Sequence, residues 1–170
     1  MKSAARFMGH PIHPMLIPFP FAFLSGAAAF DAIAASRRDP SLARTATHLR
    51  NTGIVAALGA AVPGLIDYLT TVPSGKPKET ATKHMLSNVT ALGCFAAAAW
   101  TASRRGEDGR PAGATIALEI VGAALLSVGG WLGGTLSYHH QVGVTPEEEP
   151  APRSELPAAE IPVSLTAGPH

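Results

Sequence analysis

The sequence predicts an all-α integral membrane protein, a four-helix bundle followed by a separate C-terminal tail. Of its 170 residues, 46% are apolar and only 15% are charged. The charged residues collect in three short loops and at the two ends, which leaves four long apolar blocks. Each block approaches the roughly 20 residues that a helix needs to cross a bilayer core. A soluble bundle would require a polar face on each helix, and these blocks have none.

The totals also exclude several classes of protein. A net charge of +1, without a basic patch interleaved with aromatic residues, gives no reason to expect a nucleic-acid partner. Cys94 is the single cysteine. The chain therefore has no internal disulfide, no c-type haem attachment motif and no cysteine-ligated iron–sulfur cluster.

The four predicted spans form one domain, residues 1–144, and cover about 15–36, 49–72, 84–103 and 113–138. The first begins with Pro18 and Pro20 in its opening turns, where a missing backbone N–H costs least. The second contains Pro63-Gly64, which predicts a kink or local unwinding. In the fourth, Gly129/Gly133 and Gly130/Gly134 form two GxxxG pairs, which predict close packing of the second and fourth helices.

Each of three spans carries one ionisable residue, which is typical of membrane helices. Asp31 and Glu119 are predicted toward the membrane face opposite the termini, near Arg37 and Arg38, as ion-pairing groups. Asp67 is predicted at the face where the termini lie.

Charge near the helix ends favours one orientation. Seven arginines flank the first and third loops, whereas five basic residues lie on the side of the termini. Because positive residues are enriched on the cytoplasmic side, we expect a multi-pass inner-membrane protein with both termini extracytoplasmic.

The tail, 145–170, holds six prolines and five glutamates. Such a composition cannot build a core, so the tail is predicted to be disordered or bound to a partner.

Five of the seven histidines fall at one predicted face. They precede the first helix, open the third and end the fourth: His10, His13, His84, His139 and His140. Helices that alternate in direction bring these segments together. His10 and His13 lie in the motif HPIHP and each precedes a proline, which disfavours helix and predicts an extended lip. The sequence therefore predicts a ligand site at the face of the termini.

The ligand types leave the chemistry of this site open. Haem b with His84 and His140 as axial ligands, and His13 or His10 as alternatives, is one hypothesis. The Gly129/Gly133 stripe that leads to His140 predicts room for a flat ligand. Copper or zinc is equally suited to histidines with a carboxylate, here His10, His13, His84, His140 and Asp67. Asn88 or Asp67 is a candidate to orient an imidazole. Binding of no cofactor, with the histidines in a hydrogen-bond network, is the third possibility.

Three motifs resemble an uncharacterised bacterial family of predicted four-helix membrane domains of unknown function. They are Gly9-His10-Pro11-Ile12-His13-Pro14-Met15-Leu16, His84-Met85-Leu86-Ser87-Asn88, and Gly129 to Gly134 with the segment Leu136 to Val144. The family usually ends Tyr-x-His-Gly-Val-Gly-Val, so the resemblance selects His140 over His139, and Gln141 replaces the usual glycine. Some relatives are fused to Rieske iron–sulfur domains, which implies a redox neighbourhood.

Two functions follow as hypotheses. The first is a membrane redox subunit that holds haem b or another metal and exchanges electrons with a quinone or a partner complex. The second is a non-catalytic accessory or scaffold subunit of a larger respiratory or photosynthetic membrane complex.

Overall fold

The all-α prediction is confirmed by a computed structural model, which describes residues 2–104 and 111–144. The described elements are a small hairpin, five α-helices and a terminal π-helix. In chain order they are β1 (Arg6–Phe7), β2 (His10–Pro11), α1 (Ile12–Leu16), α2 (Pro18–Arg37), α3 (Pro40–Thr70), α4 (Lys76–Ser103), α5 (Gly113–Gly134) and the π-helix (Thr135–His139). Four segments are long and apolar enough to cross a membrane: Ile12–Arg37, Pro40–Thr70, Lys76–Ser103 and Gly113–His139. The predicted tail lies outside the described residues.

The N-terminal segment folds as a hairpin that leads directly into α1. Strand β1 pairs antiparallel with β2, and Met8 and Gly9 between them both have positive φ, 48° and 87°. Two consecutive residues of this kind make the tight turn that suits a two-residue hairpin. His10 is extended, as predicted. His13 lies in helix α1, however, because Pro14 falls in the first turn, where its missing N–H interrupts no helical hydrogen bond.

Helix α3 begins at Pro40 rather than near residue 49. Asp39 caps the helix through its carboxylate, which accepts hydrogen bonds from the backbone N–H groups of Ser41 at 2.8 Å and Leu42 at 3.4 Å. Pro40 occupies the first turn, where proline is favoured. The helix continues through Pro63 to Thr70 without local unwinding.

The four long helices pack as two pairs, and a small core lies between the pairs. Helix α4 packs mainly on α5 and α2 mainly on α3, while α2 also contacts α5. The core consists of Leu24, Ala91, Phe95 and Leu126. Gly122 lets Phe95 approach α5 so closely that an added Cβ would lie 2.7 Å from its ring. Small residues on the fourth span thus admit the third span, and the predicted packing of the second span against the fourth was wrong.

A buried ionic network joins α2, α3 and α5 at the end of the bundle away from the histidines. Arg50 Nη1 donates to Asp31 Oδ2 at 2.8 Å and also to Glu119 Oε1. All three side chains are fully buried. Ion pairing of the two carboxylates was predicted, but Arg50 was assigned to a loop and Arg37 and Arg38 were the expected neighbours. The predicted span, about 49–72, put Arg50 at its very start, where it was counted with the loop. Because α3 begins at Pro40, Arg50 instead lies well inside the helix and within the bundle.

The outer surface of the bundle is apolar. Many large hydrophobic side chains are exposed, among them Val55, Leu58, Val62, Leu69, Val89, Val128 and Trp131. In water an apolar surface of this extent would promote aggregation, whereas in a bilayer it contacts apolar lipid chains.

Candidate functional site

The two ends of the described chain meet at one face of the bundle, as predicted. Lys2 forms a β-bridge with Gly143, which follows the π-helix. Asp67, near the end of α3, holds the N-terminal segment at the same face. We call this the terminal-side face.

The carboxylate of Asp67 binds the N-terminal segment. Its carboxylate accepts hydrogen bonds from Ser3 Oγ at 2.8 Å, from the backbone N–H of Ala4 at 2.9 Å and of Ala5 at 3.3 Å, and from Thr71 Oγ1 at 3.2 Å. A carboxylate with several hydrogen-bond donors has much of its accepting capacity used. The structure therefore places this predicted metal ligand as the anchor of the N-terminal segment.

His13 is seated on helix α3. Its Nδ1 lies 2.7 Å from the carbonyl oxygen of Ala60. Gly64, one turn further along the helix, faces the ring so closely that an added Cβ would lie 2.7 Å from Cε1 and Nδ1. Glycine at position 64 is therefore what allows the imidazole to lie flat against this turn of α3.

His84 is seated on helix α5 in the same manner. Its Nδ1 lies 2.8 Å from the carbonyl oxygen of Gly129, and a Cβ added to Gly133 would lie 3.1 Å from Cε1 and 3.3 Å from Nδ1. Each ring is thus held by a carbonyl at one helix position and by a glycine four residues later. We call the pairs Ala60/Gly64 and Gly129/Gly133 the two histidine seats.

These seats select one tautomer for each ring. A carbonyl oxygen only accepts hydrogen bonds, so each Nδ1 must carry the proton. In a neutral imidazole the other nitrogen, Nε2, then has the lone pair. The two ring centroids lie 6.2 Å apart with their planes at 87°. The structure therefore brings His13 and His84 together as two half-buried imidazoles that each offer Nε2.

Asn88 lies beside His84 on α4. Its Nδ2 donates to the carbonyl oxygen of His84 at 2.7 Å, which fixes the orientation of the amide. The same nitrogen lies 3.4 Å from both Nδ1 and Nε2 of His84, and both contacts are long and weak. For Nε2 of His13, no hydrogen bond occurs within the described part of the chain.

The other histidines lie further along the same face. His140 Nε2 is 3.3 Å from Thr80 Oγ1, and its ring packs edge-on against His139 at a centroid distance of 5.0 Å. Thr80 precedes His84 by one turn of α4, so His140 is a neighbour of the site and does not contact His84. His10 is exposed on β2. Among residues 2–104 and 111–144, no three His, Cys, Asp or Glu side chains form a cluster suited to a metal ion.

The predicted open groove along Gly129 and Gly133 was wrong. Asn88 fills the space at Gly129, where an added Cβ would lie 2.6 Å from Nδ2, and the His84 ring fills the space at Gly133. A cavity of about 40 Å³ remains beside His84, lined by Ile17, Pro20, Phe21, His84, Asn88, Leu126 and Gly130. That volume admits a water molecule or a small ion rather than a macrocycle. Haem b held by His84 and His140 stays a prediction.

A family model described as "Predicted membrane protein (DUF2231)" matches residues 9–146. The chain belongs to this family. The match covers all four spans, both histidine seats and His10, His13, His84 and His140, and it identifies a multi-pass membrane protein surrounded by a lipid bilayer. Neither a curated protein nor a solved structure matches the chain.

The backbone of this DUF2231 protein explains the glycine expected after His140. Gln141 has φ of 51°, in the left-handed region that glycine enters without strain. This conformation ends the π-helix and lets the N–H of Val142 donate to the carbonyl of Leu136 at 2.9 Å. The chain therefore keeps the turn despite the different residue at this position.

Proposed function

We propose that this protein is a membrane subunit that binds a transition metal at its terminal-side face, with His13 and His84 as ligands. One observation carries the proposal. Two imidazoles from separate segments lie 6.2 Å apart, and each is fixed through Nδ1 on a backbone carbonyl.

This arrangement is the one that metal-binding histidines use in proteins. A ligating imidazole usually donates its second ring N–H to a carbonyl or carboxylate, which fixes the tautomer and aims the other nitrogen at the metal. Here Nδ1 of each ring lies within hydrogen-bond distance of a backbone carbonyl, and each of those carbonyls belongs to a helix.

The site favours a metal ion over haem b. The glycine stripe that was to admit the macrocycle is filled by Asn88 and by the His84 ring itself. Imidazole suits copper, zinc, iron and nickel. A redox-active ion at this position would let the subunit exchange electrons with a quinone or with a neighbouring subunit of a respiratory or photosynthetic complex.

We place the protein in the inner membrane with the site on the extracytoplasmic side. Removing the buried Arg50 from the loop count leaves six basic residues flanking the first and third loops against five on the terminal side. The balance still favours extracytoplasmic termini. Alkaline phosphatase fused after Val144 should therefore be active. An inactive phosphatase together with a fluorescent cytoplasmic reporter at the same position would reverse the orientation.

Metal binding by the purified protein tests the proposal. We expect about one transition-metal ion per chain after loading in detergent. His13→Ala and His84→Ala should each lose that ion, since each removes one of the two proposed imidazole ligands. His48→Ala is the matched control, because His48 is exposed on α3 far from the seats. His13→Asn and His84→Asn place an amide N–H at the position of Nδ1, so they keep a donor for the seat carbonyls and separate loss of metal from loss of fold.

The scaffold hypothesis is supported by the same two hydrogen bonds, because each joins one histidine-bearing segment to a different helix. It predicts a protein that binds no metal. Its Asn variants, which keep the seat hydrogen bonds, should then behave like the natural chain in stability and in copurification with other subunits. A metal-free preparation from metal-replete cells would leave the scaffold as the function of this face.

A further inference from the structure

We infer that the ion bound by His13 and His84 is monovalent copper, held in two-coordinate geometry by the two Nε2 atoms. The inference rests on the proposed function, since it names the ion for that site. Ligand number, charge and ring geometry each support it.

The ligand number separates copper(I) from zinc. Structural and catalytic zinc sites take three or four protein ligands in a tetrahedral arrangement. The described chain offers only the pair His13 and His84 here, because Asp67 is occupied by the N-terminal segment and His140 faces Thr80. Copper(I) has a filled d shell and is stable with two nitrogen donors in line. A pair of imidazoles is therefore a complete site for copper(I) and an incomplete one for zinc.

The charge of the ion matters because both rings are half-buried where the bundle meets the membrane face. The free energy of burying an ion in a medium of low dielectric is large, and it grows with the square of the ionic charge. Both seated histidines are neutral ligands, so they do not offset the charge of the ion. The buried carboxylates Asp31 and Glu119 are engaged with Arg50 at the other end of the bundle. A monovalent ion is therefore strongly favoured over a divalent one.

The ring geometry allows an ion between the two nitrogens. A metal–imidazole bond is about 2.0 Å long, so an ion bound in line needs its two nitrogens about 4 Å apart. The inferred geometry requires the two Nε2 atoms to face one another, which puts the ring centroids about 6 Å apart. The observed separation of the centroids is 6.2 Å. A linear site imposes no relation between the ring planes, so their 87° angle is no obstacle. The seats hold both rings in place before the ion arrives.

Anaerobic titration with copper(I) from a chelator of known affinity tests the inference. We expect about one copper(I) per chain, an X-ray absorption edge typical of two-coordinate copper(I) with two nitrogen donors, and competition by silver(I), which shares this geometry. Zinc(II) should bind at least about 100-fold more weakly. His13→Asn and His84→Asn should each weaken copper(I) binding by more than the roughly 100-fold that loss of an outer-shell partner costs.

Two controls exclude other copper ligands. Cys94→Ser removes the single thiol of the chain and should leave the affinity unchanged. His48→Ala removes an exposed histidine remote from the seats and should also have no effect.

The outcomes distinguish the inference from the proposed function. Zinc(II) binding that depends on His13 and His84, without copper(I) binding, would overturn the inference and leave a metal-binding subunit. Copper(I) binding that survives both Asn variants would also overturn the inference. Absence of any ion from a folded, partner-competent preparation would overturn both.

Discussion

At the residue scale, His13 and His84 are held at the terminal-side face by the same arrangement of a carbonyl and a glycine. A backbone carbonyl accepts from Nδ1 of a histidine, and the glycine four residues later leaves room for the ring. The sequence singled out His13, His84, Gly129 and Gly133 but assigned the glycines to a bulky ligand. Hydropathy and motif spacing do not show which carbonyl a ring will meet, because every residue carries the same carbonyl.

Gly64→Ala tests the seat of His13. The new Cβ would lie 2.7 Å from the ring, which is too close for any real contact, so His13 must move and its bond to Ala60 must weaken. Overpacking of this kind costs about 1–3 kcal/mol. We expect a lower unfolding midpoint in detergent and weaker metal binding. Gly59→Ala is the matched control, because no atom lies within 4 Å of its added Cβ. Equal behaviour of the two variants would mean that the seat does not constrain the ring.

At the element scale, the existence of four helices followed from the sequence, while several of their ends did not. Apolar runs of membrane length leave the backbone no alternative to helix in lipid, so the spans were predicted correctly. The first turns of α3 are polar, and hydropathy alone assigned them to a loop. The signal was present in Asp39-Pro40, a capping residue followed by proline. The π-helix Thr135–His139 had no such signal.

The approach of the histidines was predictable to the level of a membrane face. Alternating helix directions place the first, third and fourth histidine segments at one end, and the structure confirms this. The pairing of His13 with His84, rather than His84 with His140, depends on the rotation of each helix about its axis. That rotation is set by packing, here by Phe95 against Gly122 and Leu24 against Gly53. Contacts of this kind join residues distant in sequence, and no local pattern encodes them.

At the scale of the whole molecule, the bundle has two different ends. The terminal-side face carries the half-buried histidines His13 and His84 and the hydrogen-bonded N-terminal segment. The other end carries the Arg50 network, which joins three of the four spans through fully buried charges. Ionisable groups inside a membrane are retained when they are paired. The network therefore fixes the relative position of the spans, and the histidine face depends on that frame without contacting it.

Arg50→Met tests whether the Arg50 network holds the spans together independently of the histidine face. The substitution keeps much of the side-chain volume but leaves Asp31 and Glu119 buried without the guanidinium, and breaking a buried ion pair in this way costs about 3–5 kcal/mol. We expect a large fall in the unfolding midpoint, measured by circular dichroism in detergent. Arg44→Met, at an exposed position on the same helix, should change the free energy of unfolding by less than about 0.5 kcal/mol. Since the network lies at the opposite end from the seats, the folded fraction of Arg50→Met should keep the metal affinity of the natural chain. Equal stability of the two arginine variants would show that the network does not hold the spans together, and loss of metal from folded Arg50→Met would show that the two ends are coupled.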